Sequence, residues 1–316
     1  MNENLVSEPA RPEVTVVIPT FNRGAVVGRA IGSVLAQTCQ DWELIVVDDC
    51  STDGTEQVVK GFSDDRIKYI RHDRNRRGGA ARNTGIRCAR GKYVAFLDDD
   101  DEWLPEKLEK ELEFFRHSDP EVGLVYSGMI ISDEHGNVLV SRLEMRSGWV
   151  HEALLDHNFI GSCSRVTVKK EILDRVAGFD ESFVNCQDYD LWLRVAKVSK
   201  VACVPHYLVR RYLVPERMTA SLRNIGLGWE QILIKYRSEM KPPILVRHLS
   251  RLALLLFNYE PRRARALAWE GLGLRPFQPK LMIALALSTL GRGCYRRAYT
   301  KLIKSRHKFY VGRAKI

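Results

Sequence analysis

No stretch of this 316-residue chain reaches the roughly 18–20 consecutive apolar residues that a bilayer-spanning helix needs. The best candidate, residues 281–290, is about half that length. Residues 1–12 are polar and lack the apolar stretch of a signal peptide. The seven cysteines stand singly, with no CxxC pair, so reduced thiols are expected rather than a disulfide framework or a zinc site. His151, His157 and His206 have no second His or Cys at ligand spacing. The phosphate-binding patterns GxGxxG and GxxxxGK[ST] are missing. There is no internal repeat, only one paired-helix pattern over residues 263–291. These absences predict a soluble, cytoplasmic protein.

Apolar residues make up 45% of the chain and charged residues 28%, enough apolar surface for a folded core. The net charge of +10 is uneven, because residues 241–316 hold 17 Lys/Arg against Glu260 and Glu270. The remainder is slightly acidic. A basic segment of this kind fits an anionic partner. Residues 292–315 interleave Lys and Arg with Tyr295, Tyr299, Phe309 and Tyr310. They read either as a helix on the inner face of an anionic membrane or as a soluble helical cap with a charged face.

Short β-branched runs at residues 14–18, 42–47, 67–71 and 93–97 predict strands. Helical spacings fall between them at residues 26–35 and 80–89, a turn at 50–54 leads into a further helix, and residues 105–116 continue as helix. This alternation predicts an α/β fold with a mostly parallel central sheet and helices on both faces. Residues 122–213 mix short strands (124–126, 138–141, 165–168, 201–204) with helices, and the chain beyond about 223 is helical and basic. The expected division is residues 1–222 as one α/β domain and 223–316 as a C-terminal helical region.

Ligands on such sheets sit outside the carboxyl ends of the strands. Polar residues gather there: Thr20, Phe21, Asn22 and Arg23 after the first strand, Asp48 and Asp49 after the second, and Asp98, Asp99, Asp100 and Asp101 after the fourth. Four adjacent carboxylates call for positive charge, and a hard divalent cation is one natural source. Alternation along an extended chain would put Asp98 and Asp100 on one side. A solvated acidic loop ahead of the next helix is the other reading. Asp49 fits a ribose or base contact, or a turn-forming Asx motif. Gly78-Gly79-Ala80-Ala81-Arg82-Asn83-Thr84-Gly85 resembles a phosphate-cradling helix N-terminus, with Arg82 able to reach a diphosphate. Asp188 begins an amphipathic helix, where an acid is common and where a general base can be held rigidly.

Together these blocks resemble the family 2 glycosyltransferases over roughly residues 14–221. The resemblance rests on Val16-Val17-Ile18-Pro19-Thr20-Phe21-Asn22-Arg23, Val46-Val47-Asp48-Asp49, Ala81-Arg82-Asn83-Thr84-Gly85, Phe96-Leu97-Asp98-Asp99-Asp100-Asp101 and Gly178-Phe179-Asp180-Glu181 with Gln187-Asp188. It implies the GT-A fold, a Rossmann-like sheet, and inverting transfer of a sugar from a nucleotide-diphosphate sugar, a UDP-sugar by preference. Pro19, Thr20, Phe21, Asn22, Asp49, Arg82, Asp98 and Asp99 would line the donor pocket, and Arg217 would close over the diphosphate. Asp98 and Asp100 would hold Mg²⁺ or Mn²⁺, and Asp188 would be the base. Gln187 stands where the family has Glu, which removes a charge beside that base. The QxxRW motif of processive synthases is missing after Asp188, so single-sugar transfer to a glycan or lipid-linked glycan, as in bacterial cell-surface polysaccharide or glycolipid synthesis, is expected. The competing classes are a nucleotidyltransferase-like enzyme and a non-catalytic nucleotide or nucleic-acid binder. The first lacks a Gly-rich basic loop after the first strand. In the second the acidic run would repel a phosphate backbone, so no nucleic-acid partner is expected.

Overall fold

A computed structural model describes residues 11–213, 222–257 and 260–289. Arg217 and the basic segment 292–315 lie outside these residues.

The first half alternates β1 (Val14–Thr20), α1 (Val27–Leu35), β2 (Trp42–Asp48), α2 (Thr55–Lys60), β3 (Ile67–Arg71), α3 (Arg77–Cys88) and β4 (Tyr93–Phe96). Then come β5 (Asp101–Trp103), α4 (Lys107–His117), β6 (Val122–Ser132), β7 (Val138–Arg142), α5 (His151–Asp156), β8 (Val166–Lys169), α6 (Lys170–Arg175), α7 (Gln187–Val198) and β9 (Lys200–Tyr212). The helices α8 (Leu222–Tyr236), α9 (Pro242–Leu256), α10 (Pro261–Leu274) and α11 (Pro279–Thr289) follow. No helix among the described residues is long and apolar enough to cross a membrane.

One nine-stranded sheet runs β3-β2-β1-β4-β8-β6-β9-β5, with β7 paired to β6. The strands β1 to β4, β6 and β9 point one way, and β5, β7 and β8 point the other. The sheet is therefore mostly parallel, as the alternating pattern predicts. Strand residues alternate between two cores. Val14, Val16 and Ile18 pack with α1 and α4 on one face. Val17, Val94 and Phe96 pack with α7 and the C-terminal helices on the other. Each large apolar side chain buried this way contributes about 1.5–3 kcal/mol.

Gly85 of α3 shows why that block is glycine-rich. A Cβ there would lie 2.3 Å from Val17 Cγ1, so only glycine lets α3 lie this close to β1.

Three features differ from the sequence reading. β6 and β9 are much longer than the expected 124–126 and 201–204. Their pairing carries register shifts at Val122/Leu124, Ser127/Gly128 and Gly128/Met129, and β9 carries His206, Arg210 and Arg211, which hides its period. β5 begins at the last residue of the acidic run, where an apolar pattern gives no sign of a strand. Finally, the run is not extended: a turn falls at Asp99 and Asp100, and the Asp101 N–H donates to the Asp98 carbonyl at 3.1 Å. The alternation that was to place Asp98 and Asp100 on one side therefore does not operate.

Candidate active site at the strand ends

The loops after β1, β2 and β4 form one rim, as expected of parallel strands. Thr20 and Asp48 are register partners, and the Asp49 N–H donates to the Thr20 carbonyl at 2.8 Å. Pro19 is buried in β1, while Phe21 is exposed. Asn22 adopts a left-handed conformation at φ 52°, and its Oδ1 accepts the Thr52 N–H at 2.8 Å, tying the first loop to the second. Thr20 Oγ1 is buried without a hydrogen-bond partner among the described residues.

Asp49 is buried and already engaged. Its Oδ1 accepts from His72 Nδ1 at 2.7 Å and from the Arg76 N–H at 2.8 Å, and its Oδ2 from the Arg77 N–H at 2.6 Å. The carboxylate thus anchors the loop that leads into α3 and carries Arg82 toward the rim. His72 was not visible as a participant in the sequence.

Asp98 sits between two arginines. Arg82 Nη2 donates to its Oδ1 at 2.6 Å, and Arg211 Nη2 lies 3.5 Å from its Oδ2. Arg211 comes from β9, directly across the ladder from Asp101. Its Nε and Nη2 each lie 3.2 Å from an Asp101 oxygen, a side-on pair. Asp101 is fully buried, and Ser164 Oγ donates to it at 2.7 Å. Burial pushes its carboxyl up, and Arg211 opposes that rise. Much of the positive charge that the acidic run requires thus comes from the protein itself. Arg211 and Ser164 went unrecognised in the sequence, where the only sign of the first was an arginine pair late in β9, whereas the stretch ending at Ser162 is placed near the acceptor site by the family resemblance.

Asp98, Asp99 and Asp100 are partly exposed on the rim. Arg23 Nε lies 3.9 Å from Asp99, and Arg29 donates to the Asp100 carbonyl at 3.0 Å. Among the described residues no group of three or more His, Cys, Asp or Glu side chains is placed to hold a metal. Two accessible carboxylates still suit Mg²⁺ or Mn²⁺, since such ions take one or two protein carboxylates and fill their other positions with phosphate oxygens and water.

Asp188 lies in the first turn of α7. Its Oδ1 accepts the Tyr189 N–H at 2.7 Å. Burial raises its carboxyl from an ordinary 3.8 to about 6, against the Tyr189 N–H and the charges of Arg82 and Arg211 and with a push from Asp98. Asp188 therefore shares the electrostatic field of the Asp98 cluster. A carboxyl ionising near neutrality is the character a general base needs. The residue before α7, Cys186, is left-handed at φ 60°.

Two of the sequence blocks meet through Asn83. Its side chain accepts the Phe179 N–H at 2.7 Å and donates to the Phe179 carbonyl at 2.8 Å and to Glu181 at 2.9 Å. Lys235 reaches Asp180 at 2.8 Å; burial would raise the Asp180 carboxyl, but Lys235 and Ser182 bring it down to about 2.

The family model described as glycosyl transferase family 2 matches residues 15–169. A UDP-Glc:alpha-D-GlcNAc-diphosphoundecaprenol beta-1,3-glucosyltransferase of Escherichia coli is 32% identical over 191 residues, covering 60% of this chain and 72% of that one. The structure of S. aureus TarS residues 1–349 superposes with a TM-score of 0.60 at 16% identity, over 90% of this chain and 92% of the other. The mannosyltransferase PcManGT of Pyrobaculum calidifontis, solved with GDP-Man and Mn²⁺, gives 0.58 at 20% identity, over 95% and 87%. The last two likenesses show a shared fold, the GT-A arrangement expected from the sequence.

Proposed function

The chain belongs to glycosyl transferase family 2, and from that premise we propose that it moves one sugar, with inversion, from a nucleotide-diphosphate sugar to a hydroxyl acceptor. The observation that carries this reading is Asp188, a partly buried carboxyl ionising near 6 in the field of the Arg82–Asp98–Arg211 cluster. The acceptor oxygen attacks the anomeric carbon from the face opposite the nucleotide. Its O–H bond breaks and the proton passes to the Asp188 carboxylate. A carbon–oxygen bond forms to the acceptor while the bond to the diphosphate breaks, and nucleoside diphosphate leaves.

Thr20, Phe21, Asn22 and Asp49 border the nucleoside side of the rim, with Pro19 behind them. Arg82 meets the departing diphosphate, and Arg217 serves the same group from the segment before α8. Asp98 and Asp100 would hold Mg²⁺ or Mn²⁺, with Asp99 beside them on the donor side. When bound, the ion supplies Lewis-acid stabilisation of the leaving diphosphate. PcManGT, which carries Mn²⁺ in its structure, supports that assignment. The E. coli relative uses a UDP-sugar and a diphosphoundecaprenol acceptor, which supports UDP as the nucleotide and a lipid-linked glycan as the acceptor here, in cell-surface polysaccharide or glycolipid synthesis.

A thermal-shift screen of nucleotide-sugars with Mn²⁺, followed by donor-hydrolysis and transfer assays, tests the reading. One donor should stabilise the protein and be turned over; a chain that binds no nucleotide-sugar would overturn it. With that donor, turnover should fall about tenfold per pH unit below about 6, as Asp188 takes up its proton and ceases to act as base. A flat rate between pH 5 and 7 would remove Asp188 from that role.

The excess of Lys/Arg beyond residue 241 supports a cytoplasmic enzyme held peripherally on the inner, anionic membrane face. The full chain should co-sediment with phosphatidylglycerol vesicles at low salt and be released as salt rises. Absence of binding at low salt would exclude that placement.

A further inference from the structure

The base at Asp188 is held from behind by a helix outside the strand-and-helix alternation. On α8, Gly228, Gln231 and Lys235 follow one another at spacings of three and four, which places them on a single face, and Tyr236 stands beside them, two turns on from Gly228. All four meet the segment 180–190 that carries Asp188. A Cβ on Gly228 would lie 2.6 Å from the Asn185 carbonyl oxygen and 2.7 Å from its Cβ, so the helix backbone touches the loop three residues before the base. Gln231 acts on the loop as a strand's backbone would. Its Oε1 accepts the Val184 N–H at 3.0 Å, and its Nε2 donates to the Ser182 carbonyl at 3.0 Å. Lys235 Nζ bridges Asp180 at 2.8 Å and Asp190 at 2.7 Å, on either side of Asp188. Tyr236 donates to Asp190 Oδ1 at 2.8 Å, and Trp229 stands edge-on to Tyr189 with ring centres 5.5 Å apart.

Between Asn185 and Gln187 lies Cys186, whose left-handed backbone costs a non-glycine residue about 1–3 kcal/mol unless the surroundings impose it. No side chain caps the N-terminus of α7. The direction in which Asp188 leaves the loop is thus fixed by what presses on residues 182–185, and α8 does the pressing.

We infer that α8 is the positioning element of the catalytic base, with Gly228 setting its depth and Gln231 its register, so that the transferase site is incomplete without the first C-terminal helix. This rests on the reading of Asp188 as base. It also means that the boundary near residue 222 does not separate the catalytic unit from its C-terminal helices.

The test uses the full chain with Gly228→Ala and Gln231→Ala, and Gly226→Ala as control. A Cβ at Gly226 makes only an ordinary contact, 3.5 Å from Leu256 Cδ2, and should leave turnover unchanged. In Gly228→Ala and in Gln231→Ala kcat should fall about 10–100-fold through misplacement of the base. The Kd for UDP with Mn²⁺ should stay within about twofold, because α8 makes none of the nucleotide contacts proposed above. Should Gly228→Ala not fold, Gln231→Ala, which only removes atoms, carries the comparison. Folded variants with wild-type kcat, or with kcat and UDP affinity falling together, would overturn the inference. Asp188→Asn separates the two levels. If it still turns over, the base reading fails and takes this inference with it. If it is inactive while the α8 variants run at full rate, only the positioning role is lost.

Discussion

Asp188→Asn is expected to cut sugar transfer by about 10³-fold, leave nucleotide affinity within about twofold, and make the folded protein harder to unfold at pH 8. The first effect follows from chemistry, because an amide cannot take the acceptor's proton. The second follows from geometry. Asparagine has the same shape, and its oxygen can still accept the Tyr189 N–H that Asp188 accepts at 2.7 Å. The third follows from burial. A carboxyl that ionises near 6 instead of 3.8 resists its own charge in the folded state by about 3 kcal/mol. Because the folded value is raised, the associated stability is full below pH 3.8 and is lost as pH rises through about 6. The variant has no such loss, so its advantage should approach about 3 kcal/mol at pH 8 and vanish near pH 4. Denaturant midpoints of both proteins at the two pH values measure it. A gain of stability with loss of activity is the signature of a group placed for chemistry at the fold's expense. Equal midpoints at pH 8, or loss of nucleotide binding alongside transfer, would contradict the assignment.

What the sequence made legible follows from how local each signal is. β1, β2 and β4 are short β-branched or aromatic runs whose period and length mark them directly, and the polar residues that end them fall on one rim by the topology of parallel strands. The residues Thr20 to Arg23, Asp48 and Asp49, and Asp98 to Asp101 could therefore be placed near one another without coordinates, whereas Arg82 and Asp188 joined them only through the family resemblance. The partners of those residues could not. Asp101 pairs with Arg211, 110 positions later, because β5 and β9 happen to be neighbours, and β5 is three residues of mostly acidic character. The turn at Asp99 and Asp100 overrode the extended alternation because the Asp101 N–H finds the Asp98 carbonyl. In the sequence Asp49 fits either a ribose or base contact or an Asx turn, and in the fold its oxygens are met by His72 and the backbone before α3. The grip of α8 on residues 180–190 depends on a tertiary docking that no periodicity of the helix announces.

Arg211→Met should cost about 3–5 kcal/mol of stability and most of the transfer activity, a larger loss than truncation of a surface ion pair would give. Arg211 is partly buried, pairs side-on with a carboxylate that is fully buried, and reaches Asp98 at the same time. Methionine fills similar space but takes away the guanidinium facing Asp101, and a buried carboxylate without that charge either stays ionised at high cost or takes up a proton. Burial already pushes the Asp101 carboxyl above its ordinary value with Arg211 opposing, so the variant raises it further. The deficit should therefore be greatest at pH 8 and shrink as pH falls through the raised folded value of Asp101, where protonation removes the charge that Arg211 faces. Asp101→Asn in the same chain removes the charge itself, and the double variant should recover most of the lost stability at pH 8. It should not recover transfer, because Asp98 is then held by Arg82 without the second arginine that fixes its other oxygen. Arg211→Lys belongs between these limits, since one ammonium cannot reproduce the side-on pair and the reach to Asp98 together. A double-mutant cycle by denaturant unfolding, run beside transfer assays, separates the two roles. Recovery of both stability and activity in the double variant would reduce Arg211 to a scaffold residue. Recovery of stability alone leaves it as the protein's own counter-charge at the acidic run, setting the position from which Asp98 meets the donor.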